Sequence, residues 1–206
     1  MDVDRLWTIA LLLFVGIFSA NAQQHPWHQL APGSEAPKVV TAVIEITKGS
    51  RAKYEIDKTS GLLKLDRVLN ASVVYPTNYG FIPQSYCGDG DPLDILVLCS
   101  QDLAPYSLVD ARVIGVIRML DAGDQDDKII AVAQHDAILN EYNDLSDLPS
   151  HTMKEISHFF QTYKSIDGKS IKIENISGQS DAQSVILESL EHYKTQFGNK
   201  DLTNGN

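Results

Sequence analysis

The sequence predicts a mainly β fold, closed as a barrel, with two helices packed on it. Short apolar runs recur between residues 39 and 133, each bounded by Gly, Pro, Asp or Ser. Helical spacing arrives only afterwards, over 153–164 and 180–197. No repeat or long linker divides the 206 residues, which suffice for one domain. Strands at short intervals followed by late helices suit a closed barrel, although the pattern alone leaves a sandwich open.

Residues 1–22 read as a secretory signal peptide. The apolar run 6–18 is too short to span a bilayer, and Ala20 and Ala22 form a small-x-small cleavage pattern. Against this, Asp2 and Asp4 stand where positive charge is usual, so a membrane anchor competes; a transit peptide would be richer in Ser and Arg. Residues 23–38, with Pro26, Pro32 and Pro37, read as an extended leader. The domain proper is expected over 39–198, with 199–206 a disordered tail. Secretion, or residence in the secretory lumen, is therefore expected, with the cytoplasm as the alternative. Two triplets fit that route, Asn70-Ala71-Ser72 and Asn175-Ile176-Ser177.

Within the domain, residues 39–46 form a strong strand in which Glu45 is a lone acid. Residues 53–57 alternate, placing Lys53 and Glu55 on one face. A turn leads to a third strand over 62–68, which carries Arg67. Residues 73–83 are aromatic, broken by Pro76 and Pro83, and irregular. Further strands follow over 95–99, 111–120, 129–133 and 171–173. Met153, Ile156, Phe159, Phe160 and Tyr163 fall at helical spacing and mark the first helix, which Lys164 ends. The second runs over 180–197 behind a Ser180/Gln183 capping box.

Composition narrows the function. A net charge of −10 disfavours nucleic acid and anionic membrane as partners, and no membrane association is expected once the leader is cleaved. Self-association into a homo-oligomer stays open. Cys87 and Cys99 bracket an acidic turn and are expected to stay unpaired.

That turn, Asp89-Gly90-Asp91-Pro92-Leu93-Asp94, sets three carboxylates directly before an apolar strand. Alone, such a turn is most often an ordinary loop. A calcium loop is ruled out, because its fifth, sixth and twelfth places hold Leu93, Asp94 and Ser100. A second acidic loop, 121–128, is likewise joined to an apolar strand. Carboxylates crowded this closely repel unless cations lie among them, and Mg²⁺ prefers such oxygens while leaving room for phosphates. Lys and Arg nearby suit phosphate oxygens. Together these residues point to phosphoryl transfer; no Walker loop, Ser/His/Asp set or Cys/His zinc site competes.

The acidic turn resembles the signature of the soluble (family I) inorganic pyrophosphatases. Glu45, Lys53-Tyr54-Glu55, Arg67, Tyr75-Pro76-Thr77-Asn78-Tyr79-Gly80, Asp121, Asp126, Lys128 and Phe159-Phe160-Gln161-Thr162-Tyr163-Lys164 follow in that family's order. The likeness spans residues 36–197. It implies an OB-like, five-stranded barrel that hydrolyses pyrophosphate with several Mg²⁺ ions. It further implies that Asp89, Asp94 and Asp126 hold a tight activating ion, with Asp94 bridging to a second. Asp121 and Asp126 would hold ions entering with substrate, and Glu55, with Glu45 through water, another. Asp91 would accept the proton of the attacking water. Lys53, Arg67, Tyr79, Lys128, Tyr163 and Lys164 would bind phosphate. The competing reading is a noncatalytic OB-type binding module or pseudoenzyme.

Overall fold

A computed structural model describes residues 25–198. The signal-peptide and tail expectations fall outside the described residues. The element order is α1 (Pro26–Gln29), β1 (Val39–Ile46), β2 (Ala52–Ile56), β3 (Leu63–Val68), β4 (Asn78–Phe81), β5 (Asp94–Leu98), β6 (Leu108–Asp121), β7 (Asp124–Gln125), β8 (Lys128–Ala133), α2 (Ser150–Thr162), β9 (Ile171–Gly178) and α3 (Gln179–Phe197).

Five strands close a ring in the order β1-β4-β5-β8-β6, with β6 returning to β1. The mainly β expectation holds, and closure is what the periodicity could not choose. β1 makes closure feasible by changing partner along its length: Val39–Val43 pair with β6, and Val43–Ile46 with β4. β6 is 14 residues long, and beyond the ring it carries β7 and β9 on its far half. β2 and β3 form a separate two-stranded ribbon.

Both faces of the central strands are covered, which is why they read as continuous apolar runs rather than alternating ones. Ile95, Val97, Ile129 and Ala131 join the cluster that receives Ala182, Val185 and Ile186 of α3. The intervening Leu96, Ile130 and Val132 join the cluster containing Ile156, Phe159 and Phe160 of α2. Each helix thus buries its apolar stripe against one of two cores.

Local readings differ in four places. Residues 78–81, read as irregular, form the fully buried strand β4; its Gly80 passes so close to β1 that a Cβ would lie 1.8 Å from the Val43 carbonyl oxygen. Only glycine lets these backbones pair there. β9 runs to Gly178 rather than ending at residue 173, because pairing with β6 holds its exposed polar residues in register. α3 is capped by Gly178 without a side-chain hydrogen bond, so Ser180 lies inside the first turn and makes no capping box. In the region read as extended leader, residues 26–29 form one helical turn. There Trp27, 2% exposed, donates its indole N–H to the Ser85 carbonyl at 2.8 Å. Cys87 and Cys99 are free and half-buried.

Candidate active site

Because β5 and β8 are parallel neighbours, their first residues, Asp94 and Lys128, are register partners. β6 is antiparallel to β8 and arrives beside them, with Ile117 opposite Lys128. Its extension carries Asp121, and the return through β7 brings Asp126, whose N–H donates to the Met119 carbonyl at 2.9 Å. Asp89 and Asp91 stand in the turn before β5. That turn is closed by hydrogen bonds from Cys87 N–H to Asp91 O (2.8 Å) and from Asp91 N–H to Asp89 Oδ1 (3.0 Å). Gly90 takes the left-handed φ of 87° that a side chain would resist.

Glu45 reaches the same place through a break in register between Ile44 and Ile46; such bulges re-aim a side chain. It is 5% exposed and accepts the Ile56 N–H at 2.7 Å. Lys53 and Glu55 come from β2, and Tyr79 from β4. Tyr163 and Lys164 follow the last residue of α2, where the helix C-terminus favours a cation.

These side chains line one cleft of about 270 Å³: Glu45, Lys53, Glu55, Tyr79, Asp89, Asp91, Asp94, Asp121, Asp126, Lys128, Tyr163 and Lys164. Of the residues singled out from the sequence, Arg67 is not among the lining. It sits opposite Lys53 on β3 and pairs with Asp66 at 2.6 Å. The lining also includes Lys58, Tyr54 and Tyr75, which the sequence reading gave no role. Tyr54 and Tyr75 lay within recognised motifs, whereas Lys58 in the β2–β3 turn carries no local signal. A larger cavity of about 690 Å³ shares the Tyr75 wall, but its other lining is chiefly apolar, including Val73, Leu98 and Leu148, with Glu155 its one carboxylate. The carboxylates and lysines gather in the smaller cleft instead.

Charge there is arranged in pairs. Lys128, 2% exposed, contacts both Asp94 and Asp126, and Lys164 contacts Asp121. Burial by itself would push the Lys128 pKa down; the two carboxylates outweigh it and hold the ammonium firmly charged. Its Nζ also lies 6.0 Å from the Tyr79 ring centroid. Burial, then Asp94 and Asp126, raises the Tyr79 pKa, and burial raises that of Tyr163, so both hydroxyls remain donors. Glu45 is raised well above the usual carboxylate range by burial and then by Asp94. Asp89 is raised by burial, reinforced by its acidic neighbours.

Seven carboxylates face four lysines in this lining, so negative charge is left over. As the side chains stand, no three of the described His, Cys, Asp or Glu residues already enclose an ion; lysine ammonium groups lie between the carboxylates instead. The donor set itself is all hard oxygen, without imidazole or thiolate, and suits Mg²⁺-type cations rather than zinc or copper.

The family model described as inorganic pyrophosphatase matches residues 42–194. Soluble inorganic pyrophosphatase 2 of Chlamydomonas reinhardtii is 44% identical over 187 residues, covering 91% of this chain and 97% of that one. The soluble inorganic pyrophosphatase of Zea mays is 47% identical over 169 residues, covering 82% and 79%. The crystal structure of the Thermus thermophilus inorganic pyrophosphatase superposes with a TM-score of 0.80 at 40% identity, covering 83% of this chain and 99% of that one. Matching in sequence across most of its length, and in fold with the acidic cleft at the ends of the ring strands, the chain belongs to the inorganic pyrophosphatase family.

Proposed function

We propose that this cleft hydrolyses inorganic pyrophosphate to two orthophosphates with several Mg²⁺ ions as cofactor. One observation carries the reading: seven carboxylates drawn from β1, β2, β5, β6 and two loops converge with lysines and tyrosines in one small cleft. Surface charge runs have no reason to converge in this way.

Asp89, Asp94 and Asp126 would hold the tight ion, with Asp94 shared by a second. Asp121 and Asp126 would hold ions entering with substrate, and Glu55, with Glu45 through water, a further one. When bound, the ions neutralise phosphate oxygens and lower the pKa of a nearby water. Asp91 accepts the proton of the attacking water. Lys53, Lys128, Tyr79 and Tyr163 donate to phosphate oxygens, Lys164 and Arg67 steadying the leaving and electrophilic phosphates. The buried tyrosines suit that task because their pKa values are raised and their protons retained.

Phosphate release from pyrophosphate with Mg²⁺, compared with release under a chelator, tests the proposal. Release only with the metal is expected; no release in either arm would leave a binding module instead.

We place the mature protein in the secretory lumen or outside the cell, starting at Gln23. Support comes from the apolar run 6–18, the Ala20-Asn21-Ala22 pattern, and the exposure of Asn70 and Asn175. N-terminal sequencing of the natural protein checks this, and an intact Met1 overturns it.

A further inference from the structure

Lys58 belongs to neither the carboxylate set nor the phosphate-binding set, yet its side chain reaches the acidic turn. It projects from the turn between β2 and β3. That turn is stiffened by Asp57, whose carboxylate accepts the Ser60 N–H at 2.8 Å and the Ser60 hydroxyl at 2.7 Å. Gly61 N–H donates to the Asp57 carbonyl at 2.8 Å and closes the loop. From this fixed base the Lys58 ammonium lies 2.5 Å from Asp91 Oδ1 and 3.0 Å from the Gly90 carbonyl oxygen. One cation thus holds the side chain and the adjoining backbone of the same turn.

The turn has little else to hold its tip. Its internal bonds join residues 87–91 to one another. Among the described residues, no other hydrogen bond or ion pair leads from residues 88–91 to the rest of the protein. Lys58 and Asp91 are each 52% exposed at the side chain. An exposed pair of this kind contributes little to folding, so fold stability is a poor account of it. Orientation is a better one, because a displacement of about 1 Å at a reacting group lowers rates by as much as ~10²-fold.

We propose that Lys58 is a positioning residue, a tether from the β2–β3 turn that holds Asp91 and the Gly90 carbonyl in the orientation the reaction uses. The inference rests on the assignment of Asp91 as proton acceptor. It adds a residue outside the carboxylate and phosphate-binding sets, acting through Asp91 rather than on substrate. It also links the β2–β3 ribbon, which lies outside the ring, to the acidic turn.

The test combines kinetics with amide exchange on the full chain. Lys58→Ala is expected to lower kcat by about tenfold with KM for pyrophosphate nearly unchanged. Lys58→Arg should recover most of that loss, since a guanidinium can also serve two acceptors. In an Asp91→Asn background, Lys58→Ala should lower kcat by less than about twofold further, the signature of residues acting as a unit. Without substrate, the amides of Gly90 and Asp91 should exchange faster in Lys58→Ala than in the parent. A raised KM at constant kcat would make Lys58 a substrate contact and overturn the proposal. An undiminished effect in the Asp91→Asn background, or unchanged exchange, would overturn it too. Should the parent release no phosphate, the pyrophosphatase reading fails, while exchange at Gly90 and Asp91 still decides whether the tether exists.

Discussion

Asp94 and Lys128 open neighbouring parallel strands at the same register position, and their side chains form an ion pair at the edge of the cleft. Asp126 contacts the same ammonium. Removing one member of a buried pair leaves the rest uncompensated. Lys128→Met should therefore lower unfolding stability by about 3 kcal/mol, at the lower end of the usual range because the carboxylates keep some water. Urea unfolding in chelator measures this. Part of the loss should return with Mg²⁺, which would screen the freed carboxylates.

Asp91 lies at the cleft but in neither lysine-carboxylate cluster around Lys128 and Lys164. Asp91→Asn should keep the fold and lower turnover by ~10²–10⁴-fold, the range for a lost general base. Circular dichroism beside steady-state phosphate release separates the two effects. Near-normal turnover would remove Asp91 from that role.

In the proposed mechanism Asp126 has a share in more than one ion. Asp126→Ala should first weaken metal dependence, moving the Mg²⁺ titration of activity to higher concentration. An unchanged midpoint with reduced maximal rate would contradict the ligand assignment.

Gly80 tests the fold that positions Tyr79. A methyl group at this position meets the Val43 carbonyl at 1.8 Å, and backbone has no alternative rotamer. Gly80→Ala should separate β4 from β1 and cost about 3 kcal/mol, the upper end for overpacking. Thermal melting reads it directly, and a melting point within a degree of the parent would show that the strands do not approach so closely.

The segment at 26–29 supplies the pH prediction. His28 stacks on Trp27 at 4.5 Å and its Nδ1 lies 2.7 Å from the Tyr193 hydroxyl. Burial, then the neighbouring His25, lowers its pKa in the folded protein. The unfolded chain consequently binds the proton first, and stability falls as pH drops below about 6.5. Urea midpoints at neutral and mildly acidic pH, compared with His28→Gln, should show a smaller acid loss in the variant.

Local chemistry made much of this protein legible from its residues. Runs such as 39–46 and 129–133 declare strands because β-branched side chains favour them, and Asp-Gly-Asp-Pro declares a turn because its residues permit few other backbones. The chain order of motifs then pointed to the family and to nearly all of the cleft. Other features were beyond local reading. Ring closure depends on β1 changing partner at Val43, and residues 78–81 become a strand only because β1 and β5 flank them. Neither property is written in a short window. The parallel register of β5 and β8 sets Lys128 against Asp94, and a turn in another ribbon carries Lys58 to Asp91. Such pairings join residues about 30 positions apart, through contacts that exist only once the intervening chain has folded; Arg67, conspicuous by motif, comes beside Lys53 only because β2 and β3 pair. Sequence determined which chemical groups are available. Tertiary structure decided which of them meet, because long-range contact is a property of the closed fold and not of any segment within it.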